Sequence, residues 1–327
     1  MKRSTAQDLR SADHPVVRRL SGRYCLVFGA LSSLLMIGGC SESTDPETYE
    51  FPAETVTTID FEPAWSPDGR TIAYRHYWSE IWLLDMETME KRPLTHGIHP
   101  AWSPDGTCIV YVGSPEIQNI HVIELETGTV RRLTDWGKCC DPSWSPDGSR
   151  IAFDSWQYIQ EYVGGPAQDF RGIWLINPDG TDTVRVTVFD EGGRDPDWSP
   201  DGSKLLHIRY IVDDADETTL CLMDPYGDNV VRLTANGRSN RHGCWSADGT
   251  KIMWDSSVGG DPASGIWVMN ANGSDQHLIQ RVGGDATWSP DGSRIVYSGY
   301  NEDTDTVTLW IMNADGSDAH PLTLPQG

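Results

Sequence analysis

Residues 65–69 read Trp-Ser-Pro-Asp-Gly, and this pentapeptide decides the fold because it recurs along the chain. Further copies begin at Trp102, Trp144, Trp198 and Trp288, and a sixth copy at Trp245 has Ala247 in place of proline. Successive copies are 37, 42, 54, 47 and 43 residues apart. A repeat of this length is typical of propellers, solenoids and other repeat architectures.

Each copy begins a unit with four short apolar stretches. Within the pentapeptide, proline sets its own φ angle, aspartate can bond back to the backbone, and glycine accepts a positive φ. Two apolar stretches follow, as at 71–74 and 81–84, and the second ends in a polar turn before a short closing stretch. Four strands in each repeat correspond to one propeller blade. We therefore predict an all-β fold, a six-bladed β-propeller of four-stranded antiparallel blades over residues 54–327.

The repeated Trp-Ser-Pro-Asp-Gly turns, together with turns such as Asn313-Ala314-Asp315-Gly316, resemble those of the TolB propeller family. This resemblance implies the six-bladed fold and a capacity for binding other molecules. TolB itself has an N-terminal α/β domain before its propeller, whereas only a short polar segment precedes the first repeat here. We therefore do not expect this chain to act as TolB itself does.

The first 53 residues are predicted to be an export signal and a tether. Basic residues precede an apolar run, and Ile37-Gly38-Gly39-Cys40 resembles the lipobox of bacterial lipoproteins. The resemblance implies a signal peptide at 1–39, lipidation of Cys40 and a flexible tether at 40–53. Ser41 then favours an extracytoplasmic, periplasm-facing position on the outer membrane, with membrane contact through the lipid anchor only. The alternative is an ordinary cleaved signal in which the cysteine occurs by chance.

The charge of the chain excludes one class of partner. Lys and Arg total 25 against 48 Asp and Glu, a formal net charge of -23. Such a surface repels phosphate backbones, so we predict no binding to nucleic acid.

One column of the repeat contains only carboxylates and histidines. The residues three positions before each repeat tryptophan are Glu62, His99, Asp141, Asp195, His242 and Asp285. These positions begin the innermost strands, so we expect them to surround one mouth of the central channel and contribute to a binding site. The side chains are possible ligands for a divalent cation, calcium or a transition metal. Alternatively, Arg194 and Arg241 neutralise the column, or its members accept backbone N–H bonds between neighbouring blades through ordered water.

The loop between the second and third strands varies most in length, which favours the face that it shares with the column as the binding face. Aromatic residues there and nearby form a candidate binding surface: Trp78, Trp136, Trp156, Tyr158, Tyr162 and Phe170. The alternative is that these side chains cover a small core within the loops.

No common nucleophile, phosphate-binding or metalloprotease motif occurs in the sequence. We therefore predict a propeller that binds a protein or peptide partner in the cell envelope without catalysis or a cofactor. The alternative is a polysaccharide lyase or hydrolase that resembles oligogalacturonate lyase, with a metal at the channel mouth and a base among Lys138, Arg194, Arg238 and Arg241.

Five cysteines follow Cys40, so at least one thiol is free or pairs outside the chain. One or two disulfides are compatible with an oxidising compartment, and the pairing among Cys108, Cys139, Cys140, Cys221 and Cys244 stays open.

Overall fold

A computed structural model of the protein describes residues 59–114, 116–158, 169–187, 192–211, 214–235, 238–257 and 264–323. At 157–158, 169–170, 211 and 214–217 it describes the backbone alone. The predicted signal peptide at 1–39, the tether at 40–53, Cys40 and Tyr162 lie outside the described residues. Within the described ranges no helix is long and apolar enough to cross a membrane.

The described residues form 24 strands in six antiparallel sheets of four strands, which confirms the predicted six-bladed propeller. Blade 1 contains β1 (Asp60–Trp65), β2 (Thr71–His76), β3 (Glu80–Asp85) and β4 (Lys91–His96). Blade 2 contains β5 (Ile98–Trp102), β6 (Cys108–Val112), β7 (Ile120–Glu124) and β8 (Val130–Arg132). Blade 3 contains β9 (Cys139–Trp144), β10 (Ile151–Tyr158), β11 (Asp169–Ile176) and β12 (Val184–Arg185).

The same order continues through the second half of the ring. Blade 4 contains β13 (Arg194–Trp198), β14 (Leu205–Ile211), β15 (Asp214–Met223) and β16 (Val231–Arg232). Blade 5 contains β17 (Ser239–Trp245), β18 (Lys251–Ser257), β19 (Gly265–Asn270) and β20 (His277–Gln280). Blade 6 contains β21 (Gly284–Trp288), β22 (Arg294–Asn301), β23 (Thr306–Asn313) and β24 (His320–Pro321). Every blade is a meander, so the strands pair in chain order.

The core lies between neighbouring blades, where repeat tryptophans pack. Trp102 of blade 2 packs against a cluster that includes Ala73 and Leu83 of blade 1, and Trp65 of blade 1 packs against one that includes Leu309 and Ile311 of blade 6. Burying apolar side chains between sheets supplies most of the stability of such a fold. The tryptophans therefore have a structural role.

The Ser-Pro-Asp-Gly segments form one repeated turn between the first and second strands of each blade. In blade 1 the Ser66 hydroxyl donates to Asp68 at 2.7 Å, and the Gly69 N–H donates to the Ser66 carbonyl at 2.9 Å. Gly69 has a φ of 71°, a conformation that glycine adopts without a Cβ clash. The antiparallel meander places all six turns on one face, which we call the turn face, and the channel-mouth column on the other.

Both ends of the described chain contribute to ring closure. Aligning the repeats places both 55–59 and 320–324 in the outer-strand register of blade 6, and we expect the C-terminal segment to occupy it with the N-terminal one outside it. The C-terminal strand β24 does form the outer strand of blade 6 by pairing with β23. Ile59, however, forms a parallel bridge with Val307 of β23 itself. The Thr323 hydroxyl donates to the fully buried Asp60 carboxylate at 2.7 Å, which joins the last blade to the first.

The cysteines form no disulfide among the described residues. Cys108, Cys139, Cys140, Cys221 and Cys244 are all free thiols, so the disulfides that the sequence allowed are not present. Cys139 is buried beside the hydroxyls of Thr134 and Ser155, at 3.5 and 3.7 Å.

Candidate binding site at the channel mouth

The six column residues share a backbone feature that the sequence did not reveal. Each occupies a β-bulge in its innermost strand, such as the one between Phe61 and Ala64 in β1. Each has a left-handed φ between 47° and 52°, although none is glycine. Non-glycine residues adopt this conformation rarely, and bulges are common next to functional sites, where they redirect a side chain. The bulge turns the column residue out of the regular strand alternation.

The bulges also free backbone N–H groups, and carboxylates from other strands accept them. Glu62 Oε2 accepts the N–H of His99 in the next blade at 2.8 Å. Asp195 Oδ2 accepts the N–H of His242 in the next blade at 3.3 Å. These two hydrogen bonds join neighbouring blades directly, whereas the alternative drawn from the sequence placed ordered water between the groups.

Two carboxylates on second strands have the same role, and sequence reasoning missed both. Asp154 of β10 accepts the N–H of Asp195 at 3.1 Å, and Asp255 of β18 accepts the N–H of Asp285 at 2.8 Å. Each lies thirteen residues after a column member, so the repeat spacing itself could have identified them.

His99 links the column residues of three successive blades. Its Nε2 lies 3.3 Å from Glu62 Oε1, and its Nδ1 contacts the Asp141 carboxylate. Burial alone would lower the pKa of His99, but the carboxylates of Asp141 and Glu62 raise it to about 9. An imidazolium therefore bridges blades 1 to 3. Arg75 of β2 also contacts Glu62, with Nη1 at 2.8 Å.

Arg171 of β11 is the second cation at the mouth. Its Nε lies 2.5 Å from Asp154, and its Nη2 lies 3.1 Å from Asp141 and 3.9 Å from Asp195. The side chain is only 6% exposed, so its charge acts in a poorly solvated place. Arg171 is the third residue of β11, close to the segment that joins β10 and β11. The sequence predicted aromatic binding residues in this region, but no cation.

Arg171 is a source of positive charge for the column carboxylates that the sequence did not identify. Arg194 and Arg241 were the arginines named from the sequence, but Arg194 places its guanidinium 5.0 Å from the centre of the Tyr210 ring. Arg171 forms ion pairs with three carboxylates there, because β11 runs beside β10 and brings it next to Asp154. Burial nevertheless raises the pKa of Asp154 to about 7, because desolvation, together with the nearby Asp141 and Asp195 carboxylates, outweighs the effect of Arg171.

His242 is the second bridging histidine. Its Nδ1 lies 2.9 Å from Asp255 Oδ2 and 2.9 Å from Asp285 Oδ1. Although burial lowers its pKa, the two carboxylates outweigh this effect and hold the pKa well above its ordinary value. One ligand atom from each of these three residues lies within 4.8 Å of the other two, a set compatible with a cation.

The predicted aromatic surface is assembled in part. Trp78 lies in the β2–β3 turn and is 58% exposed, whereas Trp136 packs against Phe153 and Trp174 and is 39% exposed. Trp136 therefore covers a small core and also faces solvent. Trp156 lies under the Arg171 guanidinium, 5.5 Å from the ring centre, which connects the aromatic surface to the channel mouth.

The other predicted aromatics are described less fully. Tyr158 and Phe170 lie opposite Asp169 and Gln157 in the β10–β11 pair, where only the backbone is described. Sequence reasoning also missed Ile117, in the β6–β7 loop on the same face, whose side chain is 59% exposed.

A family model described as the TolB beta propeller domain matches residues 53–210 and 172–327 of the chain. The search of curated protein sequences found no match to this chain.

Solved structures share the fold. TolB from Acinetobacter baumannii is 23% identical with a TM-score of 0.61, and the alignment covers 80% of this chain and 62% of that one. A protein assigned as TolB from Agrobacterium tumefaciens is 18% identical with a TM-score of 0.63, over 78% and 90% of the two chains. An oligogalacturonate lyase in complex with manganese is 20% identical with a TM-score of 0.57, over 80% and 78%. The fold is thus shared by TolB and by an oligogalacturonate lyase.

Proposed function

The chain belongs to the TolB beta propeller domain family, and from that premise we propose that it is an envelope-tethered lipoprotein that binds a protein or peptide at the channel mouth, without catalysis. The observation that carries this proposal is the cluster of acidic side chains at the mouth, which outnumber the cationic groups paired with them even though Asp154, with a pKa of about 7, is partly protonated. Six carboxylates meet there with four cationic groups: Glu62, Asp141, Asp154, Asp195, Asp255 and Asp285 with Arg75, Arg171, His99 and His242. Such a mouth favours a cationic group of the partner.

The exposed apolar side chains beside the mouth support a macromolecular partner. Trp78 and Ile117 are more than half exposed on the same face, and Trp136 is partly exposed. Exposed aromatic and apolar side chains grouped around a polar centre are typical of protein interaction sites. The tether at 40–53 and lipidation of Cys40 belong to the proposal, and they would hold the propeller in an extracytoplasmic position at the outer membrane.

Two groups at the mouth, Cys140 and Arg171, are poorly suited to catalysis. Burial and the nearby carboxylates of Asp154 and Asp141 raise the pKa of the Cys140 thiol well above its usual value, so the reactive thiolate is disfavoured. Ion pairs with three carboxylates hold the proton on Arg171, which opposes a role as general base.

Site-specific photo-crosslinking in the producing cell tests the binding proposal. We expect a photoreactive residue at Trp78 to give one discrete envelope adduct. The matched control is Tyr226 in the β15–β16 turn, an aromatic residue that is 83% exposed on the turn face. Adducts of the same protein from both positions, or none from Trp78, would refute binding at the channel mouth.

A second candidate function is a metal-dependent polysaccharide lyase, favoured by the ligand set of His242, Asp255 and Asp285. The buried Asp255 Oδ1 has no hydrogen-bond partner among the described residues, so these residues fit a divalent cation such as calcium or manganese. Against this candidate, a net charge of -23 repels an anionic pectic substrate.

Thermal unfolding in chelator, and then with calcium or manganese, tests for the cation. A ligand that binds only the native state stabilises it by about 2.7 kcal/mol at a hundredfold excess over Kd. A metal-dependent rise in Tm that His242→Gln abolishes, together with unsaturated products from oligogalacturonate, would support the lyase. A Tm that responds to neither metal would exclude this candidate.

A further inference from the structure

The turn face shows a proline contact that recurs at five of the six blade junctions. A Cβ built on the turn glycine of one blade would lie between 3.4 and 3.9 Å from the turn proline of the preceding blade. The pairs are Pro67 with Gly106, Pro104 with Gly148, Pro146 with Gly202, Pro200 with Gly249 and Pro290 with Gly69. A pyrrolidine ring therefore fits beside the glycine at each of these junctions.

The junction between blades 5 and 6 lacks this contact because Ala247 replaces the proline. A Cβ built on Gly292, the glycine of the next turn, would have no other atom within 4 Å. The blade 5 turn itself is intact, since the Ser246 hydroxyl still donates to Asp248 at 2.7 Å and accepts the Lys251 N–H at 2.9 Å. The gap thus results from two missing ring carbons and not from a different turn.

A groove of about 740 Å³ opens at this junction, between the turns of blades 5 and 6. Its volume lies within the range of ligand sites. Apolar walls come from Val268, Leu278 and Trp288. Trp288 is 9% exposed. The walls of the groove are therefore mainly apolar.

The rim of the groove is anionic. Asp248, Asp291 and Asp315 line it, and hydrogen bonds from turn hydroxyls and backbone N–H groups lower the pKa of each. These carboxylates stay ionised at neutral pH. Lys251 also lines the groove, but its Nζ donates to Asn270 Oδ1 at 2.7 Å.

We propose that this groove binds an extended, proline-containing and positively charged segment of a partner protein. The five other junctions show that a prolyl ring is the group that packs beside the turn glycine. A polyproline-type segment is extended and presents prolyl rings along its length, so one ring can pack beside Gly292. Lysine or arginine side chains of the segment complement the three rim carboxylates. This site lies on the opposite face from the channel mouth and is independent of it.

Fluorescence anisotropy with the full chain and a labelled peptide Arg-Pro-Pro-Pro-Pro-Arg tests the proposal. The decisive variant is Ala247→Pro, which restores the residue that the other five turns contain and so fills the space beside Gly292 that a prolyl ring of the partner would occupy. We expect it to weaken peptide binding about tenfold or more, as for the loss of a central anchor. Ala247→Ser is the matched control and should bind as the wild type does.

Asp315→Asn tests the charge contribution. Asn272 occupies the equivalent position in blade 5 and makes the same turn hydrogen bonds, so the variant removes a charge and keeps the turn. We expect affinity to fall about twofold to fivefold at low ionic strength and the difference to vanish in high salt. The proposal is overturned if a peptide with alanine in place of every proline binds equally well. It is also overturned if Ala247→Pro, with an unchanged Tm, leaves the affinity unaltered.

Discussion

His207 in β14 occupies an aromatic column of the propeller core, and its replacement tests how burial controls charge in this fold. Nine residues after the repeat tryptophan, the other five blades have Tyr74, Tyr111, Phe153, Trp254 and Tyr297. His207 is 1% exposed, and its Nδ1 has no hydrogen-bond partner among the described residues. Burial, with a smaller effect from Arg209, lowers its pKa from 6.5 to about 4. The folded protein therefore contains a neutral imidazole at neutral pH.

The size of the effect follows from the two pKa values. Between pH 6.5 and 4 the unfolded chain binds a proton that the folded protein does not, so stability falls as the pH falls. Each pH unit in this window costs about 1.4 kcal/mol, so the full penalty is about 3 kcal/mol below pH 4. At pH 5 the wild type has lost about 2 kcal/mol through this one residue. His207→Phe removes the titrating group and supplies the side chain that blade 3 already has at this position.

Equilibrium urea unfolding followed by tryptophan fluorescence measures the difference. The stability of His207→Phe relative to the wild type should increase by about 2 kcal/mol between pH 7 and pH 5. Tyr74→Phe is the matched control, because the Tyr74 hydroxyl is buried without a partner and its pKa is raised away from this window. If the difference between wild type and His207→Phe is the same at both pH values, the assignment of a neutral buried His207 is wrong.

Three further predictions concern closure, the channel mouth and the tether. Thr323→Val removes the hydrogen bond to the buried Asp60 and should destabilise the protein by about 1–3 kcal/mol in urea unfolding. Thr187→Val, which loses a hydrogen bond within blade 3 alone, should lower the free energy of unfolding by less. An equal decrease in the two variants would argue against a special role for Thr323 in ring closure. Arg171→Gln leaves the buried Asp154 without its cation and should cost about 3–5 kcal/mol at pH 8. Protonation of Asp154 should reduce that cost at pH 5, and a cost independent of pH would contradict the ion-pair account. Cys40→Ser should release the protein from the membrane into a soluble extracytoplasmic fraction, and persistent membrane association would indicate another anchor.

The local repeat is what the sequence alone determined. Turn residues, alternating apolar stretches and the repeat tryptophan lie within a few positions of one another, so each blade could be predicted from contiguous residues. The number of blades follows from counting Trp65 and its counterparts, and the closing strand at 320–321 follows from aligning the repeats. The column of carboxylates and histidines was also visible, because the repeat holds it at a constant distance from the tryptophan.

Only the tertiary structure decided how those side chains are paired. Arg171 reaches Asp141 and Asp195 because two strands and a neighbouring blade bring them together across sequence separations that no periodicity specifies. At four of the six column residues, His99, Asp195, His242 and Asp285, a carboxylate of another strand accepts the N–H group that the bulge frees. In the same way, the sequence shows that Ala247 replaces the turn proline in the fifth repeat. The structure shows that the resulting space lies beside Gly292 of the next blade, where it forms part of the groove. Contacts between blades are set by the geometry of the ring, whereas each blade is set by its own local residues.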